Sequence, residues 1–235
     1  MSDDAPSFAS GSDTGEYTGH VDPQGPAATR ALAEITISKL SVGPMDNNAY
    51  LVVCRHAGEA VLIDAANDAD RILEFLGSVP GKPPLRAVIT THSHRDHWQA
   101  LSAVGEQTAA KLYAGHDDAD AIPVRTDVRL RHGDAVPVGD CHLEVIALRG
   151  HTPGSIALLY TDPGGGPHLF TGDSLFPGGP GKTSSPETFS SLMDDLEARV
   201  FDGLPDETIV YPGHGDDTTL GDERPQIGEW RARGW

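Results

Sequence analysis

Residues 91–97 read Thr-His-Ser-His-Arg-Asp-His and follow directly on the apolar run Ala87-Val88-Ile89-Thr90. No other segment restricts the chain so strongly, because three imidazoles and a carboxylate crowd one loop at the end of what reads as a buried strand. In an extended stretch, residues two apart face the same way, so His92 and His94 can grip one ion from one side. As the chain turns into the next helix, Asp96 and His97 swing towards a second position. Neutral imidazole with carboxylate suits zinc, and also iron or manganese.

Four residues cannot hold two ions, so further ligands must come from elsewhere. Gly150-His151-Thr152-Pro153-Gly154, Thr171-Gly172-Asp173-Ser174 and Pro212-Gly213-His214-Gly215 share one template, a ligand beside glycine near the end of an apolar strand. Glycine there lets the backbone pass close to the ions. Taken singly, His151 and His214 read as turn histidines and Asp173 as a cap. Read with the first loop, they complete a set of five histidines and two aspartates.

The surrounding pattern frames this set. Residues 1–32 mix Ser, Gly, Asp, Pro and Thr and read as a flexible acidic leader, its later part lying across the surface. Residues 33–235 form a single expected domain. Strands are predicted over 35–42, 49–54, 60–64, 85–90 and 111–114, with helices over 70–76 and 98–106. In the second half, an antiparallel pair is expected between Gly133 and Ile146. A hairpin joins 156–160 to 168–171 through Pro163-Gly164-Gly165-Gly166. A helix is expected over 186–200, capped by Ser185 with Pro186 at its first position, and a last strand over 208–211. The polar tail offers Trp230 and Trp235 as docking points. Two halves, each of strands followed by helices, suggest an α/β protein of two packed sheets with helices outside.

With these segments in order, the chain resembles the metallo-β-lactamase-fold superfamily from about Ile35 to Gly215, and within it the glyoxalase II-like hydrolases. The resemblance implies an αββα sandwich of two mixed β-sheets flanked by helices, with the site at one edge. It implies that His92, His94 and His151 hold a first metal, that Asp96, His97 and His214 hold a second, and that Asp173 bridges them. Asp64, ending the run Val61-Leu62-Ile63, matches the family's early aspartate, which supports the ligands from behind. Asp46-Asn47-Asn48-Ala49-Tyr50 resembles the family's early loop, making Asn48 a further candidate. Lys182 matches the basic residue that meets the substrate thiol's carboxylate.

The implied activity is hydrolysis of a carbonyl bond, in a thioester of a hydroxyacyl-thiol or in a small ester or lactone. A hydroxide bridging two divalent ions, most simply zinc, would attack, with Asp96 orienting it as the catalytic carboxylate. Aspartate at position 173, where two-zinc β-lactamases carry cysteine, argues against antibiotic hydrolysis. Glutathione specificity has weak support. The neighbourhoods that hold tyrosines in glyoxalase II read Thr183-Ser184-Ser185 and Gly215-Asp216-Asp217 here, and only about twenty residues follow Gly215. The alternative reading is a mononuclear iron persulfide dioxygenase of the same fold.

Charge and composition limit the partners. A net charge of −18, with only four lysines among 17 basic residues, disfavours nucleic acid and leaves a small molecule as the expected partner. No apolar run approaches the length of a membrane span. Met1 to His20 carries no secretory pattern, so the expected address is the cytoplasm. The sequence sets no oligomeric state. Cys54 and Cys141, 87 positions apart, read as two buried reduced thiols. His20, His56, His116, His132, His142 and His168 match no motif and are expected in solvent or turns.

Overall fold

The computed structural model describes residues 17–234. Alternating apolar residues build two sheets. The first runs in the order β1 (Ala28–Ala31), β2 (Ile35–Val42), β3 (Asn47–Cys54), β4 (Ala60–Ile63), β5 (Leu85–Thr90), β6 (Lys111–Gly115) and β7 (Val128–Leu130). It is antiparallel up to β4 and parallel beyond. The chain then forms β8 (Ala135–Val138), β9 (Cys141–Ala147), β10 (Ile156–Asp162) and β11 (Gly166–Gly172). A short ribbon of β12 (Leu175–Phe176) and β13 (Gly179–Pro180) follows, then β14 (Ile209–Pro212) and β15 (Thr218–Thr219). The second sheet has the order β15-β14-β11-β10-β9-β8, with β14 parallel to β11.

Period-two alternation sorts each strand into two cores. Ile35, Val52, Val61 and Ile89 of the first sheet meet Val136, Leu143, Leu158 and Phe170 of the second. The intervening residues face outwards and are covered by helices. Leu62 and Val88 lie in the cluster with Ile72 of α1 (Ala69–Ser78) and Leu101 and Val104 of α2 (Leu101–Thr108). On the other side, Ala157 and Leu169 lie with Phe189 and Leu192 of α3 (Pro186–Leu196). The α4 turn (Leu220–Glu223) and α5 (Ile227–Arg233) complete that layer, and Trp230 is 1% exposed. This is the expected αββα sandwich. The α3 cap also forms as expected, with Ser185 accepting from Thr188 N in a capping box.

Several boundaries move. The strand expected from residue 49 begins at Asn47, because Asn47 and Asn48 pair with Val42 and Ser41 across the hairpin. The helix expected from Trp98 begins at Leu101. A single 3-10 turn, Arg95–His97, occupies the space before it, and Trp98 Nε1 donates to Ser93 O at 2.9 Å. In the tail, Trp230 docks as expected on an unforeseen helix, while Trp235 lies outside the described residues.

The leader expected over residues 1–32 is corrected from Tyr17 onwards; residues 1–16 lie outside the described residues. Val21 is buried, residues 28–31 form the edge strand of the first sheet, and Tyr17 donates to Asp217 Oδ2 at 2.7 Å. These apolar and hydrogen-bonding groups give residues 17–32 a place on the domain. His168 is corrected too. It is 2% exposed, between the sheets, with Nδ1 2.8 Å from the Tyr211 hydroxyl. Among the described residues, no helix is long and apolar enough to cross a membrane.

Candidate metal centre

The four ligand-bearing segments converge at one edge of the sandwich. The 91–97 loop leaves β5, His151 lies between β9 and β10, Asp173 follows β11, and His214 follows β14. Their donor atoms fall into overlapping groups: His92, His94 and His151; His92, His97 and Asp173; and Asp96, His97 and His214. His92 and His151 face each other through Nε2 atoms 3.3 Å apart, with the His94 ring against both. His97 and His214 Nε2 atoms are 3.2 Å apart, and Asp96 Oδ2 lies 3.4 and 3.2 Å from them.

Asp173 spans the two groups. Its Oδ2 is 3.7 Å from His151 Nε2, 3.9 Å from His92 Nε2 and 3.5 Å from His214 Nε2, while its Oδ1 is 3.3 Å from His97 Nε2. Two glycines make this position possible. Gly172 has φ +49°, and a Cβ there would lie 2.6 Å from Thr91 Oγ1. A Cβ on Gly213 would overlap Asp173 Oδ1 and lie 2.7 Å from His97 Cε1.

Partners behind the rings set which nitrogen faces inwards. His97 Nδ1 lies 2.9 Å from Asp64 Oδ2, His151 Nδ1 2.7 Å from Lys182 O, and His214 Nδ1 2.9 Å from Met45 O. An acceptor at Nδ1 holds the proton there and turns the Nε2 lone pair towards the centre. Asp64, 2% exposed, also accepts from Thr91 N and Thr91 Oγ1, each at 2.8 Å. It therefore ties the first ligand loop to the His97 ring.

This donor set fits a cation. Asp173 Oδ1 is buried without a hydrogen-bond partner that meets full geometry, 3.3 Å from His97 Nε2. Burial pushes His97 down, but the Asp64 and Asp173 carboxylates outweigh it and lift the imidazole to about 10. Burial likewise acts to raise Asp173, but His214 and His97 hold it well below the usual carboxylate range. Burial drives His92 and His151 towards the neutral ligand form. Carboxylates facing converging lone pairs favour positive charge between them, and two metal ions would supply it.

Not every expected residue meets the centre by its side chain. Lys182 is exposed, and its contact with the site is through its backbone carbonyl. Asn48 is 1% exposed and donates to Pro212 O and Gly215 O, at 3.0 and 2.9 Å, clamping the His214 loop from behind. Its neighbour Asn47 is the one at the site, with Nδ2 3.0 Å from Asp96 Oδ2 and 3.4 Å from His214 Nε2. The alternation of β3 could have signalled this, since neighbouring residues of a strand face opposite ways.

Two further buried residues escaped the sequence reading. Asp118, 1% exposed, accepts from Ser93 N at 2.7 Å, Thr152 Oγ1 at 2.5 Å and Gly154 N at 2.7 Å, joining the loops of His92 and His151. Lys39, fully buried, donates to Gly19 O, Gly215 O and Asp217 Oδ1, each at 2.7 Å. It fastens the N-terminal segment to the His214 loop.

Comparison with known proteins agrees with this geometry. The chain is 34% identical over 171 residues to a hydroxyacylglutathione hydrolase of Pseudomonas entomophila (strain L48), covering 72% of this chain but 62% of that protein's length. Its fold matches the crystal structure of ETHE1 from Myxococcus xanthus with a TM-score of 0.70 and 33% identity, over 82% of this chain and 84% of that one. It also matches TTHA1623, solved in a di-iron-bound form, with a TM-score of 0.63 and 30% identity, over 79% and 96% of the two chains. The family model of the metallo-beta-lactamase superfamily matches residues 42–214, from the end of β2 to the last histidine of the site, and the chain belongs to that superfamily.

Proposed function

We propose that this protein is a dinuclear metal-dependent hydrolase that cleaves the carbonyl bond of a small thioester, ester or lactone. The observation that carries the reading is the Asp173 carboxylate, which reaches His92 and His151 on one side and His97 and His214 on the other. In this reading, His92, His94 and His151 would hold one ion and Asp96, His97 and His214 the other, with Asp173 within reach of both. When bound, divalent ions would supply Lewis acidity and lower the pKa of a coordinated water.

The chain's own groups supply orientation. Asn47 Nδ2 donates to Asp96 Oδ2 and fixes the carboxylate. Burial alone would raise Asp96, but Asn47 and His97 hold it low, so it stays ionised and can accept a hydrogen bond from the attacking water. Asp64, Met45 O and Lys182 O keep His97, His214 and His151 from rotating or shifting their protons. No Ser or Cys nucleophile is needed, and the ligand set contains none.

The substrate side favours a small molecule over a polyanion, given the net charge of −18. Carboxylates stand just beyond the last histidine: Asp216 pairs with His20 and Asp217 with Lys39. Positions 183–185 and 215–217, where glyoxalase II carries glutathione-contacting tyrosines, read Thr-Ser-Ser and Gly-Asp-Asp here, so a thioester of another thiol, or a lactone, fits better. The test is metal content of the purified protein together with turnover on a panel of thioesters and lactones. Two zinc per chain with hydrolysis supports the proposal. One iron per chain, with oxygen uptake on a persulfide and no hydrolysis, assigns the dioxygenase reading instead.

A further inference from the structure

The two cysteines of the chain stand far apart in sequence but meet in space. Cys54 ends β3 in the first sheet and Cys141 begins β9 in the second, and their Sγ atoms are 3.9 Å apart. Both are free thiols. The turns that carry them are docked independently of the sulfurs. His56 Nδ1 lies 2.5 Å from Asp140 Oδ2, and Gly139 packs so closely that a Cβ on it would lie 2.9 Å from Cys54 Cβ. Cys54 is buried and Cys141 half-buried, so a small reagent reaches the pair from the Cys141 side.

We infer that Cys54 and Cys141 form a reversible disulfide that staples the two sheets together at the end of the sandwich away from the metal centre. The distance from the site follows from β3 itself, which begins at Asn47 beside Asp96 and runs seven residues to Cys54, about 23 Å. The sulfurs must approach by about 2 Å to bond, within reach of side-chain rotation.

The chemistry is thiol–disulfide exchange with a small disulfide RSSR as oxidant. Cys141 attacks one sulfur of RSSR, passes its proton towards Glu34 Oε2, 3.7 Å away, and releases the first RS⁻. Cys54 then attacks the Cys141 sulfur and releases the second RS⁻. The pair loses two electrons and two protons, which end on two RSH molecules. The order follows access: Cys141 is the half-buried sulfur that the reagent meets first, and its high proton affinity makes this first attack the slow step. Burial and the neighbouring Cys54 and Glu34 push Cys141 up to about 12. Burial acts to raise Cys54 as well, but backbone N–H groups of Ala57, Asp140 and His56 outweigh it and favour its thiolate as the resolving nucleophile.

The experiment is equilibration of the purified protein with bis(2-hydroxyethyl) disulfide, followed by thiol counting under denaturing conditions and peptide mass mapping. The expected product is a monomer two hydrogens lighter, with no titratable thiol and one crosslinked peptide joining residues 54 and 141. Its melting temperature should rise by several degrees and return on reduction, because the crosslink closes a long loop. In C54A, the hydroxyethylthiol adduct should persist on Cys141, with no resolving thiol to displace it. Hydrolytic turnover of the oxidised protein should match that of the reduced protein. Two thiols still titrating, a lasting adduct on the unsubstituted chain, or crosslinking between chains would each overturn the inference.

Discussion

Replacing Asp64 by Asn tests the claim that the site is set from behind its ligands. The carboxylate is 2% exposed and serves three donors, Thr91 N, Thr91 Oγ1 and His97 Nδ1, at 2.8, 2.8 and 2.9 Å. Asn keeps the shape but exchanges one acceptor oxygen for an NH2 group. If the amide oxygen stays on Thr91 N, the NH2 faces both Thr91 Oγ1 and His97 Nδ1. The imidazole then answers by moving its proton to Nε2, the atom that should carry the ligand lone pair. Losing such an outer partner typically lowers metal affinity by roughly 10–100-fold. At about 1.4 kcal/mol per factor of ten, that is on the order of 1.4–2.8 kcal/mol at the position held by His97. The lost charged hydrogen bonds should also lower folding stability by about 1.5–3 kcal/mol. The assay is zinc titration against a competing chelator, with thermal melting of the metal-free protein as the fold control. D64N should bind one ion as before and the second more weakly, with turnover falling alongside. Unchanged affinity for both ions, in a protein that has lost stability, would refute the positioning role.

D173A and H214A should each lower turnover by about a hundredfold or more while leaving the far-ultraviolet circular dichroism unchanged; full activity in either variant would sink the bridging assignment. D118A leaves the buried donors of Ser93, Thr152 and Gly154 without their acceptor, and should cost about 3–5 kcal/mol in denaturant unfolding. The same variant should also retain less metal on dialysis, and wild-type values in both measurements would refute the clamp. Burial between the sheets holds His168 down to about 4, so between pH 6.5 and 4 the unfolded chain takes up a proton that the folded chain refuses. Its stabilising effect is complete above about pH 6.5 and lost as pH falls towards 4. Unfolding midpoints of the metal-free protein should therefore fall less steeply over that window in H168N than in wild type.

The seven residues that converge at the candidate metal centre stood out in the sequence because their pattern is hard to mistake. Imidazoles and carboxylates beside glycines, each after an apolar strand, have few other uses. Strand alternation was equally legible, since one face of each strand must be buried, and it led to two sheets with helices outside. Sequence alone did not separate Asn47 from Asn48, because a strand expected only from Ala49 left both in the preceding loop, outside the alternation that turns Asn47 to the site.

What only the tertiary structure decided is which polar residues lie inside and which distant ones touch. Lys39 and Asp118 look like surface charges in sequence, yet both are buried, because carbonyls, N–H groups and a carboxylate from remote loops satisfy them. Lys182, the expected substrate contact, has an exposed side chain, and its carbonyl holds the His151 ring. Cys54 and Cys141 meet across the sandwich after 87 intervening steps. Residue types and spacing marked the candidate metal ligands; the pairing of buried polar groups and thiols depended on which loops the packed sheets brought into contact.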